Sequence, residues 1–219
     1  MTGTMTVTSS AFNDGDPIPV RFAFCAPRAE NHSEMSTNIS PELAWSGAPD
    51  GTKSFAVLCV DVDVPTIFDN VNSEDSTISA DQPRQDFYHG LLVDVPATLS
   101  GLAEGAESEG LVAGGKNPGR VAHGIRGIND YTMFMASNPD MAGDYGGYDG
   151  PCPPWNDELL HHYEYRVYAL DIETLGLDEG GNFRGPDVMA AMEGHVLAMG
   201  KLVGTFTQNP DVEGFVGDS

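Results

Sequence analysis

The segment Val60-Asp61-Val62-Asp63-Val64-Pro65 closes an apolar run with two carboxylates at i and i+2, a spacing that puts both on one face of an extended chain. Turned outward they are simply solvated. Turned toward a core they are costly unless they meet donors or cations, and then they have a use: a carboxylate orients an imidazole and raises its pKa, so that a site can present positive charge to an anion. Imidazoles are at hand. His89 and the pair His161-His162 each open a predicted strand directly after a long loop, where strand ends form pockets. His32 and His123 sit in Gly/Ser/Asn-rich loops and read as solvated, and His195 reads as a helix-packing residue. The string Gly147-Tyr148-Asp149-Gly150-Pro151-Cys152-Pro153-Pro154-Trp155 completes the set. Its prolines stiffen the backbone and leave the amides of Gly150 and Cys152 to point at a ligand, as in half of an anion site. A surface turn closed by proline would explain the prolines but not the flanking aromatics Tyr148 and Trp155.

The elements that must position these groups are short and mostly extended. Gly (26) and Pro (15) fall between β-branched and aromatic runs, which is β-rich punctuation. Strands are expected at 20–24, 54–60, 88–95, 163–170 and 202–207, the second covered on both faces because its apolar run is nearly continuous. The clearest helix starts at Gly185-Pro186-Asp187, with Pro in the first turn and Asp near the positive end of the dipole, and is predicted to run over about 186–200. Segments 66–86, with Arg84 its only basic residue, and 132–145, with its turn signals, read as acidic surface loops inserted beside the site. Val64-Pro65 is a candidate cis peptide.

Composition narrows the function classes. The chain has 219 residues, 33 of them Asp or Glu against 10 Lys or Arg, a formal net charge of −23. That argues against nucleic acid, which needs a basic surface to release counterions, and against adsorption to anionic membranes. A hydrophobic content of 40% is that of a folded chain, and one domain over 1–219 is expected. No apolar stretch approaches the roughly 20 residues of a membrane span. Three widely spaced cysteines, Cys25, Cys59 and Cys152, read as free thiols in a reducing compartment, hence a cytoplasmic protein; one bridge plus a spare is the alternative.

Taken together, these strings resemble the phosphatidylethanolamine-binding protein (PEBP) family, also called Raf-kinase-inhibitor-like proteins, in its bacterial branch. The resemblance is carried by Ser40-Pro41-Glu42-Leu43-Ala44-Trp45-Ser46-Gly47-Ala48-Pro49, by Asp61-Val62-Asp63-Val64-Pro65 for the D-P-D-x-P box, by His89, and by Gly127-Ile128-Asn129-Asp130-Tyr131. Gly150-Pro151-Cys152-Pro153-Pro154 with His161-His162-Tyr163 follows, and then Ala191-Met192-Glu193-Gly194-His195. It spans about residues 15–208. It implies a mostly β fold, an antiparallel β-sandwich with a few peripheral helices. It also implies a small pocket for phosphate-like anions or phospholipid headgroups, lined by Asp61, Asp63, His89, Tyr148, Gly150, Cys152, Pro154, His161 and Tyr163. Three positions depart from the pattern: Val62 for Pro, Gly90 for a bulky aromatic after His89, and His162 for Arg.

The reading is therefore a non-enzymatic binding protein for a small anionic ligand or headgroup, regulatory in the kinase-inhibitor manner, with an unidentified protein as a further partner. No catalytic residue, metal or cofactor is assigned. A hydrolase using Cys152 is the alternative, although no helix N-terminus lowers that thiol's pKa, and a metal site of His89, His161 and Asp61 is the third, although the spacing lacks a ligand cluster. Anion binding is expected to weaken as pH rises through the histidine pKa, near 6.5 or higher.

Overall fold

The computed structural model describes residues 3–216. Its strands are β1 (Gly3–Thr4), β2 (Thr6–Thr8), β3 (Cys25–Arg28), β4 (His32–Met35), β5 (Leu43–Ser46), β6 (Ser54–Pro65), β7 (Arg84–Pro96), β8 (Gly101–Leu102), β9 (Gly119–Val121), β10 (Gly124–Arg126), β11 (His161–Leu170) and β12 (Val196–Phe206). The α-helices among the described residues are α1 (Tyr131–Phe134) and α2 (Gly185–Met192). A seven-stranded sheet in the order β1-β12-β11-β6-β7-β10-β9 forms the centre. It is antiparallel except where β1 runs parallel to β12. A three-stranded sheet, β2-β5-β8, and the β3-β4 pair lie beside it.

Burial of the central sheet on both faces follows from the apolar run of β6. Residues of one parity, Phe55, Val57 and Cys59, pack with Leu43 and Trp45 of β5, Val7 of β2 and the inner faces of Tyr163, Tyr165 and Val167. Residues of the other parity, Ala56, Leu58 and Val60, pack with Leu91, Val93, Phe183 and the α2 residues Val188 and Met192. This is the mostly β sandwich with peripheral helices that the sequence implied. None of the described helices is long and apolar enough to cross a membrane.

Several local expectations are corrected. Residues 20–22 form a 3-10 turn, Val20–Phe22, closed by Phe22 N–H to the Pro19 carbonyl and Ala23 N–H to that of Val20; the strand starts only at Cys25. The helix at Gly185 stops at Met192, because Gly194 takes φ +82°, the left-handed conformation that ends helices. The apolar residues beyond it alternate, with Ala198, Gly200 and Leu202 buried, and they build β12 against β11. His195 thus lies in the turn, its Nδ1 bonded to Asp171 at 2.9 Å. Val64-Pro65 is trans, as are all described peptide bonds, because β6 continues through Pro65, which pairs with Arg84, rather than turning there.

The cysteine reading is overturned as well. Cys25 and Cys152 form a disulfide across 127 residues, and Cys59 is the buried free thiol. Both Phe24 and Cys25 donate their amides to the Pro151 carbonyl, which lays β3 along the proline loop and brings the two sulfurs together. With that pairing, cysteine usage no longer argues for a reducing compartment.

The two acidic segments are also less loose than expected. Ile78 is fully buried and bridges to Asp157, and Met135, Met141 and Tyr145 sit in a third cluster with Phe24 and Tyr131.

Candidate functional site

Three central strands deliver the site at one end of the sheet. In register, Asp61 of β6 lies between Tyr163 of β11 and Phe87 of β7. With His89 and His161 they wall a cavity of about 40 Å³, room for roughly three waters at 10–15 Å³ each, or for one tetrahedral oxyanion. The remaining walls are Val64 and Pro65, then Phe68, Val71 and Asn72 from the 66–83 segment, Tyr131 and Phe134 from α1, and Cys152, Pro153 and Pro154 from the proline loop.

His161 is fully buried, with Nδ1 2.7 Å from Asp61 Oδ2 and Nε2 3.1 Å from Asp157 Oδ2. Two carboxylate acceptors require a proton on each ring nitrogen. Burial alone would lower the pKa, but the Asp61 charge and the bonds to Asp157 and Asp61 outweigh it and raise it to about 9. Burial likewise pushes both carboxyls up, yet His161 holds Asp61 below the usual range, and His161 and Arg84 do the same for Asp157. Arg84 grips Asp157 through both terminal nitrogens, at 2.6 and 3.0 Å. Charges therefore alternate along Asp61, His161, Asp157 and Arg84, and neither His161 nitrogen is free for a ligand.

His89 behaves in the opposite way. Its Nδ1 donates to the carbonyls of Asp149 and Gly150, at 2.8 and 3.1 Å. Burial lowers its pKa below 6.5, outweighing the attraction of Asp61, so the ring is neutral at pH 7 and its other nitrogen, Nε2, is an acceptor. Facing edge to face with His89 is Tyr163, ring centroids 5.1 Å apart. The Tyr163 hydroxyl is buried and lacks a hydrogen bond of good geometry, although the Asp61 carboxylate stands beside it; burial, followed by the charge of Asp61 and its hydrogen bonding, lifts the Tyr163 pKa well above 10. The cavity is thus walled by a His89 ring whose second nitrogen is an acceptor and by a tyrosine whose hydroxyl lacks a well-aligned hydrogen bond.

A family model described as phosphatidylethanolamine-binding protein matches residues 8–207. The chain belongs to that family. Among its relatives, the UPF0098 protein YbhB of Escherichia coli is 32% identical over 93% of this chain and all of its own length. A UPF0098 protein of Methanothermobacter thermautotrophicus is 31% identical over 92% of this chain and 98% of its own. Among solved structures, E. coli YbcL, titled a new member of the mammalian PEBP family, superposes with a TM-score of 0.64 at 27% identity over 93% of this chain and 98% of that one.

Against the PEBP expectation, Asp61, His89, Cys152, Pro154, His161 and Tyr163 share the cavity, whereas Asp63, Tyr148 and Gly150 do other work. A register break between Asp61 and Val64 spoils the shared face. Asp63 bonds the amide and ring of exposed His162, both at 2.8 Å, and His162 points away from the side His161 takes. Tyr148 donates to the Phe22 carbonyl and lines a second, apolar interior cavity with Cys59 and Gly90, so the aromatic lost at Gly90 opens space there. The Gly150 amide is spent on Asn38 Oδ1 at 2.8 Å, and its carbonyl accepts from His89 and Tyr131. Glycine is required at 150, since a Cβ there would meet the Phe22 carbonyl at 2.0 Å. The hydrolase reading loses its nucleophile to the disulfide, and the metal reading needs a His161 whose nitrogens are both occupied. Sequence reasoning missed Asp157, which stands four residues before His161, and the aromatic walls Phe87, Tyr131 and Phe134. The signal for Asp157 was Arg84, the lone cation of an acidic segment, which needs a carboxylate if buried.

Proposed function

We propose that this PEBP-family chain binds, without chemistry, a small phosphate-like anion or the phosphorylated headgroup of a larger molecule in the cavity between His89 and Tyr163. The observation that carries this reading is the small cavity walled by Asp61, His89, His161 and Tyr163, in which the Tyr163 hydroxyl has only a poorly aligned acceptor in Asp61 and is better satisfied by an entering oxygen. The entering oxygens take the Tyr163 hydrogen bond and favour a proton on His89 Nε2, which then becomes a second donor and supplies the positive charge. Binding and protonation are coupled, so affinity rises as pH falls toward the lowered pKa of His89. His161 acts as scaffold: its charge is already balanced by Asp61 and Asp157.

The test is calorimetric titration of phosphate and phosphorylethanolamine between about pH 5 and 8 at fixed ionic strength. Tyr163→Phe is expected to weaken binding about tenfold, the worth of a hydrogen bond to a charged acceptor, and His89→Ala to remove the pH dependence that exceeds the ligand's own ionisation. Wild-type affinity in both variants would overturn the assignment.

A further inference from the structure

A second cavity, of about 40 Å³, lies two positions along β6 and β11 from the Asp61–Tyr163 pair, where Cys59 pairs with Tyr165. Leu43 and Leu102 wall it from the β2-β5-β8 sheet, and Val57, Cys59, Gly90 and Leu92 from the central sheet. It shares no lining residue with the first cavity, and every residue that lines it is buried. Its origin is local. The register of β6 and β7 breaks between Cys59 and Val60, so that His89 is the extra residue and Gly90 stands opposite Cys59 with no side chain to fill the space. Nothing in the backbone demands that glycine, since its φ is not positive and a Cβ there would find its nearest atoms, on Cys59, Gly147 and Tyr148, at ordinary contact distances of 3.5 and 3.6 Å.

We infer that this cavity is a binding site for a small uncharged apolar molecule, on the scale of xenon or a hydrocarbon of about three carbons. Close-packed interiors keep few voids larger than one water, and this one has room for about three. It is also poor in free polar groups. The Ser40 hydroxyl accepts from the amides of Glu107 and Ser108, Tyr148 donates to the Phe22 carbonyl and meets the Tyr165 hydroxyl at 3.2 Å, and the Glu107 carboxylate takes His123 and Arg126. Cys59 adds a free thiol that burial keeps protonated. Water needs two to four polar partners and finds too few, and a charged or strongly hydrogen-bonding ligand would lose its hydration without replacement. A longer apolar molecule would have to displace Leu43 or Leu102.

The experiment titrates xenon into wild type, Gly90→Ala and Leu102→Ala, read by side-chain methyl NMR, with thermal midpoints as the check on folding. Saturable shifts are expected at the methyls of Leu43, Val57, Leu92 and Leu102 and none at Val93 and Val188, which pack on the other face of the sheet. Gly90→Ala places a methyl in the space and is expected to weaken xenon binding at least about tenfold, whereas Leu102→Ala enlarges it and should tighten binding several-fold. Lost packing alone would not move the two variants in opposite directions. Absence of a saturable shift in wild type, shifts confined to Val64 and Val71 of the first cavity, or wild-type affinity in Gly90→Ala would each overturn the inference. The wild-type and Gly90→Ala titrations decide it even if Leu102→Ala does not fold.

Discussion

His161 and His89 stand on β11 and β7, the two strands that flank β6, and share Asp61 as an electrostatic neighbour, yet their environments drive them in opposite directions. The difference is hydrogen bonding. His161 meets two carboxylates, and His89 meets two carbonyls, which stabilise one N–H but no full charge. The raised pKa of His161 links folding to pH. Because the folded value of about 9 exceeds 6.5, the stabilisation is complete below pH 6.5 and is lost as pH rises through 9, on the order of 3 kcal/mol in all. Urea denaturation between pH 6.5 and 9.5 should show this fall in wild type. His161→Ala, which strands buried Asp61 without its cation and leaves Asp157 to Arg84 alone, should cost about 3–5 kcal/mol at pH 7 and lose the dependence. A stability flat from pH 6.5 to 9.5 in wild type would mean that His161 is neutral. From sequence, the pairing of an acid with a strand-opening histidine was readable in Asp61 and His161. Which histidine would be charged was not, since that depends on Asp157 and on two backbone carbonyls that only the fold supplies.

At the scale of elements, the 66–83 segment is pinned rather than loose. The Asn156 side chain donates to the carbonyls of Asn70, Ser73 and Ser76 and accepts from the Asn72 amide, while Arg84 binds the Ser79 and Gln82 carbonyls. Since Phe68 and Val71 wall the cavity, Asn156 holds that wall in shape without lining it. Asn156→Ala should cost roughly 2 kcal/mol and speed amide exchange across 66–83 selectively; uniform acceleration over the whole chain would show that the asparagine stabilises the fold globally instead. The strands that carry the site were legible because β6 has a nearly continuous apolar run, β7 a shorter one at its centre, and β11 aromatic and β-branched residues in alternation. The end of α2 was not, since Val188, Met192, Val196 and Met199 fit helical spacing while 198, 200 and 202 fit alternation, and the choice was made by Gly194 and by pairing with β11. The alternation of Asp61 and Asp63 failed for a related reason: a register break is a property of the strand pair, not of one strand's sequence.

For the molecule as a whole, one covalent link ties the N-terminal third to the site. The Cys25–Cys152 bridge closes a loop spanning 127 residues, for which loop-closure entropy gives about 4–5 kcal/mol of stabilisation. Unreduced protein should carry one free thiol by alkylation and mass measurement, and reduction should lower the urea midpoint; three alkylated cysteines without reductant would contradict the bridge. The net charge of −23 is a second whole-molecule property. It repels an approaching anion, so association should quicken when inert salt is added, over the range where the Debye length shrinks from about 30 to 10 Å. The central claim is that His89, neutral in the free protein, takes up a proton when an anion settles beside Tyr163. Sulfate tests it most directly, because it does not titrate near neutrality and any proton taken up belongs to the protein. Calorimetric titration of sulfate at pH 7 in buffers of different ionisation enthalpy should give an uptake approaching about one proton per sulfate bound in wild type, and none in His89→Ala. Binding without proton uptake in wild type, or equal uptake in the two proteins, would contradict the account.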